Sequence, residues 1–428
     1  MTNTSGSTVI PARRRSNIAV GLLTGGIDRH YMFGLTMALI SQGMRVHVIG
    51  SDGVDSAEMH TTAGLSFFNL QRNNAPGTGK RTRVWRLLAY YARLIWYTWG
   101  SGPKIFHILW NNKLKYFDRT LLMVYYRILG KKVVFTAHNV NMAKRDAKDS
   151  WLNRLTLQIQ YRLSDHIFVH TKKMKDDLAE QFGVHADAVT VIPYGINNAV
   201  PDTAITSAEA KQRLGVAKGD RTILFFGNLR SSKGLHHLVT AFQLVADRHR
   251  DYRLIIAGEP KKGCEQYVRN VQETINIHPS RDRIIQRLGY VPDSETELYF
   301  KAADVLALPY DNIFQSGVLF VGYAYGLPVI ASDVGSLRED VLEGKTGFVC
   351  KPHDPLDLAA TIEKYFDSSL FKNLDNHRQK IRAYAYRTHS WDVVGELTRA
   401  VYVNLLGGSR SSEPILSYED THVVPGVE

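Results

Sequence analysis

Residues 304–341, DVLALPYDNIFQSGVLFVGYAYGLPVIASDVGSLREDV, constrain the fold more than any other stretch of the chain. Residues 304–308 are a short apolar run closed by Pro309, the pattern of a strand buried on both faces of a parallel sheet. A polar turn follows, and Ser316 has the chemistry of a helix N-cap. Residues 317–325 read as the helix, Gly326 to Pro328 end it, and 328–331 are the next strand. Together these make a βαβ unit, in which the first helical amides face the crevice where α/β folds take ligands. Gln315, Ser316, Gly317 and Val318 are therefore a candidate phosphate cradle. A buried βαβ unit with no ligand fits the same spacing equally well.

The alternation recurs along the whole chain. Residues 17–23 read as a strand running into Thr24, Gly25 and Gly26, with a helix at 31–42 and a second strand at 45–49. The full G-x-G-x-x-G pattern is missing, so this glycine turn is a weak dinucleotide signal. Further strands are expected at 67–70, 105–110, 132–137, 166–171 and 189–192. His138 and Asn139 sit at the carboxyl end of one of them, where such folds bind ligands, although a lone loop histidine is more often structural. Residues 198–208 are a polar, proline-containing linker. Beyond it a strand at 222–226 leads through Gly227, Asn228, Leu229, Arg230, Ser231, Ser232, Lys233 and Gly234 into a helix at 235–247. Lys233 stands just before the helix start, well placed to neutralise a diphosphate. Strands at 253–257 and 284–289 follow, the latter turning at Tyr290 and Val291, and a last helix spans about 391–406. The expected class is α/β, with two doubly wound halves at 17–197 and 209–389, which suits 428 residues.

Charge narrows the partners. The formal net charge is +12 and the pI near 9.4, which favours an anionic surface or ligand. Between Glu58 and Asp118 there is no acidic residue, while four of the six tryptophans fall there: Trp85, Trp96, Trp99 and Trp110. Read as a helix at 82–98, this segment has a core stripe at Val84, Leu87, Leu88, Tyr91, Leu94 and Ile95. Its other face runs along Arg86, Tyr90, Arg93 and Tyr97. Arg81, Arg83, Arg86, Arg93, Trp96 and Trp99 then form a candidate anionic-membrane or acceptor surface; a domain helix with a solvated basic face is the alternative. Nucleic acid is not expected, since the aromatics lie on a helix rather than on an open sheet. Two cysteines, Cys264 and Cys350, support neither a disulfide framework nor a cysteine zinc site. No apolar run approaches the ~20 residues of a membrane span. Residues 1–16 read as a disordered basic tail without a signal-peptide core, and 407–428 as a polar tail. These features point to a cytoplasmic protein, peripheral on the inner face of the membrane.

TAHN after an N-terminal strand, IPYGIN before the linker, FGNLRSSKG, LGYVP, QSGVLFVGYAYGLPVIASDVGSLRE and KTGFV resemble the family-4 glycosyltransferases of GT-B fold. The resemblance covers about residues 17–406. It implies two Rossmann-like domains facing each other across a cleft, with the last helix crossing back onto the first domain. It also implies transfer of a sugar from a UDP- or GDP-linked donor to an acceptor with retention of configuration, without a metal or other cofactor. The acceptor expected is a glycan or a lipid-linked molecule. On that resemblance Lys233 matches the lysine on the leaving diphosphate, and Ser316, Gly317 and Val318 the helix-start amides. His138 matches the histidine at the donor sugar, Gly26 the first-turn glycine, and Tyr290 with Val291 the segment along the nucleobase.

Two departures stand out. The family's paired glutamates fall on Ile313 and Val321, leaving Asp311 or Gln315 as substitutes for the first. The arginine expected two positions before Arg230 is Asn228. The QSGV run resembles a variant subgroup that lacks the paired glutamates. An active transferase, a non-catalytic GT-B subunit that recruits a partner to the membrane, and a nucleic-acid binder are the three classes to separate.

Overall fold

The computed structural model describes residues 18–25, 28–72, 79–145, 149–196 and 201–407. Gly26, the 1–16 and 408–428 tails and the start of the linker lie outside the described residues. Short apolar strands, separated by helices that cover both faces, form two wholly parallel sheets. The first contains β1 (Ala19–Leu23), β2 (Arg45–Ser51), β3 (Leu65–Gln71), β4 (Ile105–Ile108), β5 (Lys132–Thr136), β6 (His166–Val169) and β7 (Val189–Val191). Its order is β3-β2-β1-β4-β5-β6-β7. The second contains β8 (Arg221–Phe226), β9 (Tyr252–Gly258), β10 (Ile284–Leu288), β11 (Val305–Leu308), β12 (Val329–Ser332) and β13 (Gly347–Cys350), in the order β10-β9-β8-β11-β12-β13. Each order reverses beside its first strand. Those switch points, at the carboxyl ends of β1/β4 and β8/β11, are where an open α/β sheet leaves room for a ligand. The expected α/β class with two Rossmann-like domains is the observed one.

The last helix, Trp391–Leu405, belongs to the first lobe in space. It lies along the helix Arg29–Ser41, and the backbone of Ala38 is so close to Gly395 that a Cβ there would sit 3.0 Å from it. The Tyr402 hydroxyl lies 2.6 Å from Nδ1 of buried His107 on β4. The Trp391 indole occupies the space that side chains at Gly34 and Gly195 would need. Two segments distant in sequence are thereby locked to the N-terminal lobe by one aromatic ring.

The tryptophan-rich helix spans Lys80–Gly100, and its orientation differs from the expected one. Tyr90, Tyr91, Leu94 and Thr98 are buried, whereas Val84, Leu88 and Ile95, assigned above to the core, are exposed. The cause is the tyrosine hydroxyls, which find partners inside. The Tyr97 hydroxyl, expected outside, sits 2.8 Å from Nδ1 of His47, while Tyr91, expected inside, donates to Asp118 at 2.8 Å. Amphipathic tyrosines can thus take an inner face without leaving a buried hydroxyl unpaired. The outward face instead carries Val84, Trp85, Leu88, Ile95, Trp96 and Trp99. The 16-residue helix Leu374–His389 was not expected either: only Ile381, Ala385 and His389 are buried on it, too sparse a stripe to read in sequence.

Candidate active site between the lobes

The C-terminal half of the site grows from two loops. After β8 the chain turns through Gly227, whose φ of +102° favours glycine. A Cβ at that position would come 2.9 Å from Nζ of Lys233 and 3.5 Å from Cγ2 of Val318. Gly227, Lys233 and Val318 therefore surround one small volume. Lys233 is 8% exposed, and its ammonium stands 5.3 Å above the Tyr310 ring. Among the described residues no carboxylate lies within ion-pair reach of it. Removing an ammonium from water costs several kcal/mol unless an anion compensates, so this lysine is set up for an anion that the described residues do not supply.

The helix Gly317–Ala324 supplies the opposing wall. Ser316 occupies its N-cap position, but its hydroxyl caps no amide and instead lies 3.4 Å from the Tyr310 hydroxyl. The expected side-chain cap is therefore absent, and the first-turn amides stay open toward the site. The Gln315 amide is buried with neither its oxygen nor its nitrogen bonded, and Nε of Arg230 is likewise buried and unbonded. Uncommitted buried polar groups of this kind call for a ligand or ordered water. Asn228 and Tyr290 are exposed, and Val291 packs partly into the core beneath helix Gly317–Ala324. Asp311 turns away from this set: its Oδ1 lies 3.0 Å from Nε2 of His237 and 3.2 Å from Nδ1 of His353. Ile313 is buried, and Val321 packs against the same core.

The N-terminal wall centres on His138. Its ring stacks on Trp110 at 4.2 Å and meets Tyr31 edge-on at 4.7 Å. Nδ1 lies 2.9 Å from Nε2 of His170, while its own Nε2 is buried without a partner. Burial first, and then the neighbouring His170 and His107, hold its pKa well below the ordinary 6.5. His138 is therefore neutral in the working range and can donate to or accept from a sugar hydroxyl rather than supply charge. Gly25 has φ +57°, and a side chain there would strike Trp110.

Tyr194 joins the two walls, a role that sequence reasoning missed although its motif was legible. It stacks on Phe320 at 5.5 Å with 16° between planes, contacts Tyr31 at 5.4 Å, and places its hydroxyl 3.8 Å from where a Gly317 Cβ would lie. Its hydroxyl also lies 3.4 Å from Oδ2 of Asp28, whose other oxygen caps the helix Arg29–Ser41. Further contacts between lobes are His30 to Asp293 at 3.4 Å and the Lys173 amide to Glu339 at 3.4 Å.

Two family models match the chain: Glycosyltransferase Family 4 over residues 24–200 and Glycosyl transferases group 1 over residues 220–368. A D-inositol 3-phosphate glycosyltransferase of Corynebacterium diphtheriae is 27% identical over 286 residues, 63% of this chain and 64% of that protein. The chain thus spans under two thirds of the length of the curated relatives it matches. Sucrose-phosphate synthase from Thermosynechococcus elongatus superposes with a TM-score of 0.73 at 18% identity, over 92% of this chain and 100% of that one. HepE of Anabaena, solved in complex with UDP and glucose, gives 0.70 at 17% identity, over 91% and 100%. The two family models, which between them cover both lobes, show a glycosyltransferase of the group 1 and family 4 type, and the solved structures share its two-domain GT-B fold.

Proposed function

We propose that this chain is a retaining glycosyltransferase that moves a sugar from a UDP- or GDP-linked donor to a glycan or lipid-linked acceptor held close to a membrane surface. One observation carries the donor half of that reading: the buried, unpaired Lys233 ammonium facing the open start of the helix Gly317–Ala324 across Gly227. The diphosphate would lie between them, with Arg230 and Gln315 beside it and the donor sugar toward Nε2 of His138. As the bond from the anomeric carbon to phosphate breaks, its electron pair stays on the diphosphate, where Lys233 and the helix amides stabilise the growing charge. The acceptor oxygen bonds to the same face of the carbon, and its proton passes to a phosphate oxygen. This route uses no metal.

The acceptor half rests on the outward face of the helix Lys80–Gly100. Trp85, Trp96 and Trp99 are 73%, 84% and 76% exposed, and Leu121, Val124 and Ile128 of the adjoining helix Leu121–Ile128 are exposed as well. The helices touch where the Tyr125 hydroxyl donates to the Ile95 carbonyl at 2.9 Å. Arg72, Arg86 and Arg93 line a recess of about 270 Å³ beside Trp85. Apolar bulk, interfacial indoles and guanidinium groups suit the headgroup region of an anionic bilayer. No helix among the described residues is long and apolar enough to cross a membrane, and the attachment we propose is peripheral, on the cytoplasmic face.

A panel of UDP- and GDP-sugars assayed for release of nucleoside diphosphate tests the donor assignment. Release with one donor, increased by a lipid-linked glycan, is the expected outcome. A chain that binds none of them and releases nothing would instead be a non-catalytic GT-B subunit. That second reading is favoured by one observation, the apolar Ile313 and Val321 where the resemblance places two glutamates.

A further inference from the structure

A second cluster of uncommitted polar atoms lies outside the donor site. His236 and His237 open the helix Leu235–Arg248, Asp311 follows β11, and His353 follows β13. One donor atom from each of His236, His237 and Asp311 lies within 4.8 Å of the other two. Nε2 of His237 and Oδ1 of Asp311 are 3.0 Å apart, both buried, yet they are not aligned as a hydrogen bond. His353 brings Nδ1 to 3.2 Å from that same oxygen. It does so from a left-handed backbone with φ +59°, the one non-glycine residue with positive φ among the described residues. Such a conformation is strained for a non-glycine residue and persists where the surroundings impose it.

We propose that His236, His237 and Asp311, with His353 as the fourth ligand, form a binding site for a divalent transition metal, zinc in the first place. Zinc bonds of about 2.0–2.2 Å set the donor atoms of a tetrahedral site roughly 3.3–3.6 Å apart, a few tenths of an ångström beyond the 3.0 and 3.2 Å seen here. Two atoms that approach within hydrogen-bond distance while aiming past one another are arranged to share a cation between them. Three imidazoles and one carboxylate suit zinc, cobalt, nickel or copper, whereas magnesium and calcium prefer oxygen donors. Nδ1 of His236 is fixed 3.0 Å from the Tyr267 hydroxyl, which leaves Nε2 to bind; orienting contacts of this kind are typical around ligating imidazoles.

The site's position suggests what it does. The Asp311 amide donates to the Ser232 carbonyl at 3.1 Å, and Gly234, which precedes His236 by two residues, packs on the Pro309 carbonyl too tightly for any side chain. A metal would therefore tie the ends of β8, β11 and β13 together and stiffen the turn that bears Arg230 and Lys233. It would be structural, and it does not depend on the identity of the sugar donor.

The test uses the full-length, untagged chain stripped with a chelator and titrated with cobalt(II). One equivalent should give the visible absorption of a four-coordinate nitrogen and oxygen site, displaced by zinc, and zinc should raise the melting temperature. His237→Ala and Asp311→Asn should each weaken cobalt binding about tenfold or more and remove the zinc-dependent rise. His353→Gln, at an exposed position, should fold normally and alter the cobalt spectrum. No stoichiometric cobalt absorption in the wild-type chain, or equal binding by wild type, His237→Ala and His353→Gln, would overturn the proposal.

Discussion

Replacing Lys233 by Met keeps much of the side-chain length and removes only the charge. In the ligand-free protein the ammonium is 8% exposed and has a tyrosine face, not a carboxylate, as its neighbour. A cation–π contact is worth about 0.5–2 kcal/mol, less than the several kcal/mol that an uncompensated buried charge costs. Lys233→Met should therefore leave the ligand-free protein as stable as before or more so, its melting temperature rising by roughly 2–4 °C for each kcal/mol gained. Catalysis should move the other way. Loss of one preorganised donor to developing charge costs about 3–4 kcal/mol, or roughly a hundredfold to a thousandfold in turnover. Coupled detection of nucleoside diphosphate release gives the rate, and melting with and without UDP or GDP gives the binding contribution. Turnover within threefold of wild type, or an unchanged nucleotide-induced melting shift, would refute the role assigned to this lysine.

Three further outcomes follow from the packing and the charges. Gly34→Ala should cost about 1–3 kcal/mol by overpacking against Trp391 and next to nothing in a Trp391→Ala background; additive losses in a double-mutant cycle would deny that contact. Burial raises the Asp340 pKa from 3.8 to about 7, so the folded state holds this proton more tightly than the unfolded chain does. Stability attributable to Asp340 is then lost as pH rises from about 4 to about 7, by roughly 2–3 kcal/mol between pH 5 and 8; Asp340→Asn should flatten that fall in denaturant titrations, and an unchanged slope would contradict it. Changing Trp85, Trp96 and Trp99 to Ser, or Arg81, Arg83, Arg86 and Arg93 to Glu, should abolish flotation with anionic vesicles while leaving nucleotide binding intact; flotation that survives both sets would remove the membrane surface.

Much of the fold was legible because parallel strands buried on both faces are continuous apolar runs. The strands ending at Leu23, Phe226 and Leu308 announced themselves with their glycine or proline punctuation. Lys233 and the helix after Ser316 could be paired from sequence because each follows a strand end at a switch point. What could not be read was whatever depends on contacts between distant segments. Tyr194 bridges the lobes through Asp28, Tyr31 and Phe320, none near it in the chain. Asp311 looked like a stand-in for a missing glutamate, yet in space it meets His237 and His353. The helix Lys80–Gly100 was recognised but rotated, since hydropathy alone puts Tyr90 and Tyr97 outside and Leu88 inside, and only His47 reveals where the Tyr97 hydroxyl is satisfied.

The central claim is that a sugar nucleotide's diphosphate sits between Lys233 and the start of the helix Gly317–Ala324. A crystal structure of the protein with UDP or GDP, whichever binds, tests it most directly. The account predicts phosphate oxygens at about 3 Å from Nζ of Lys233 and from the amides of Gly317 and Val318, as charge-assisted hydrogen bonds require. A nucleotide bound elsewhere, with Lys233 still facing only Tyr310, would contradict it.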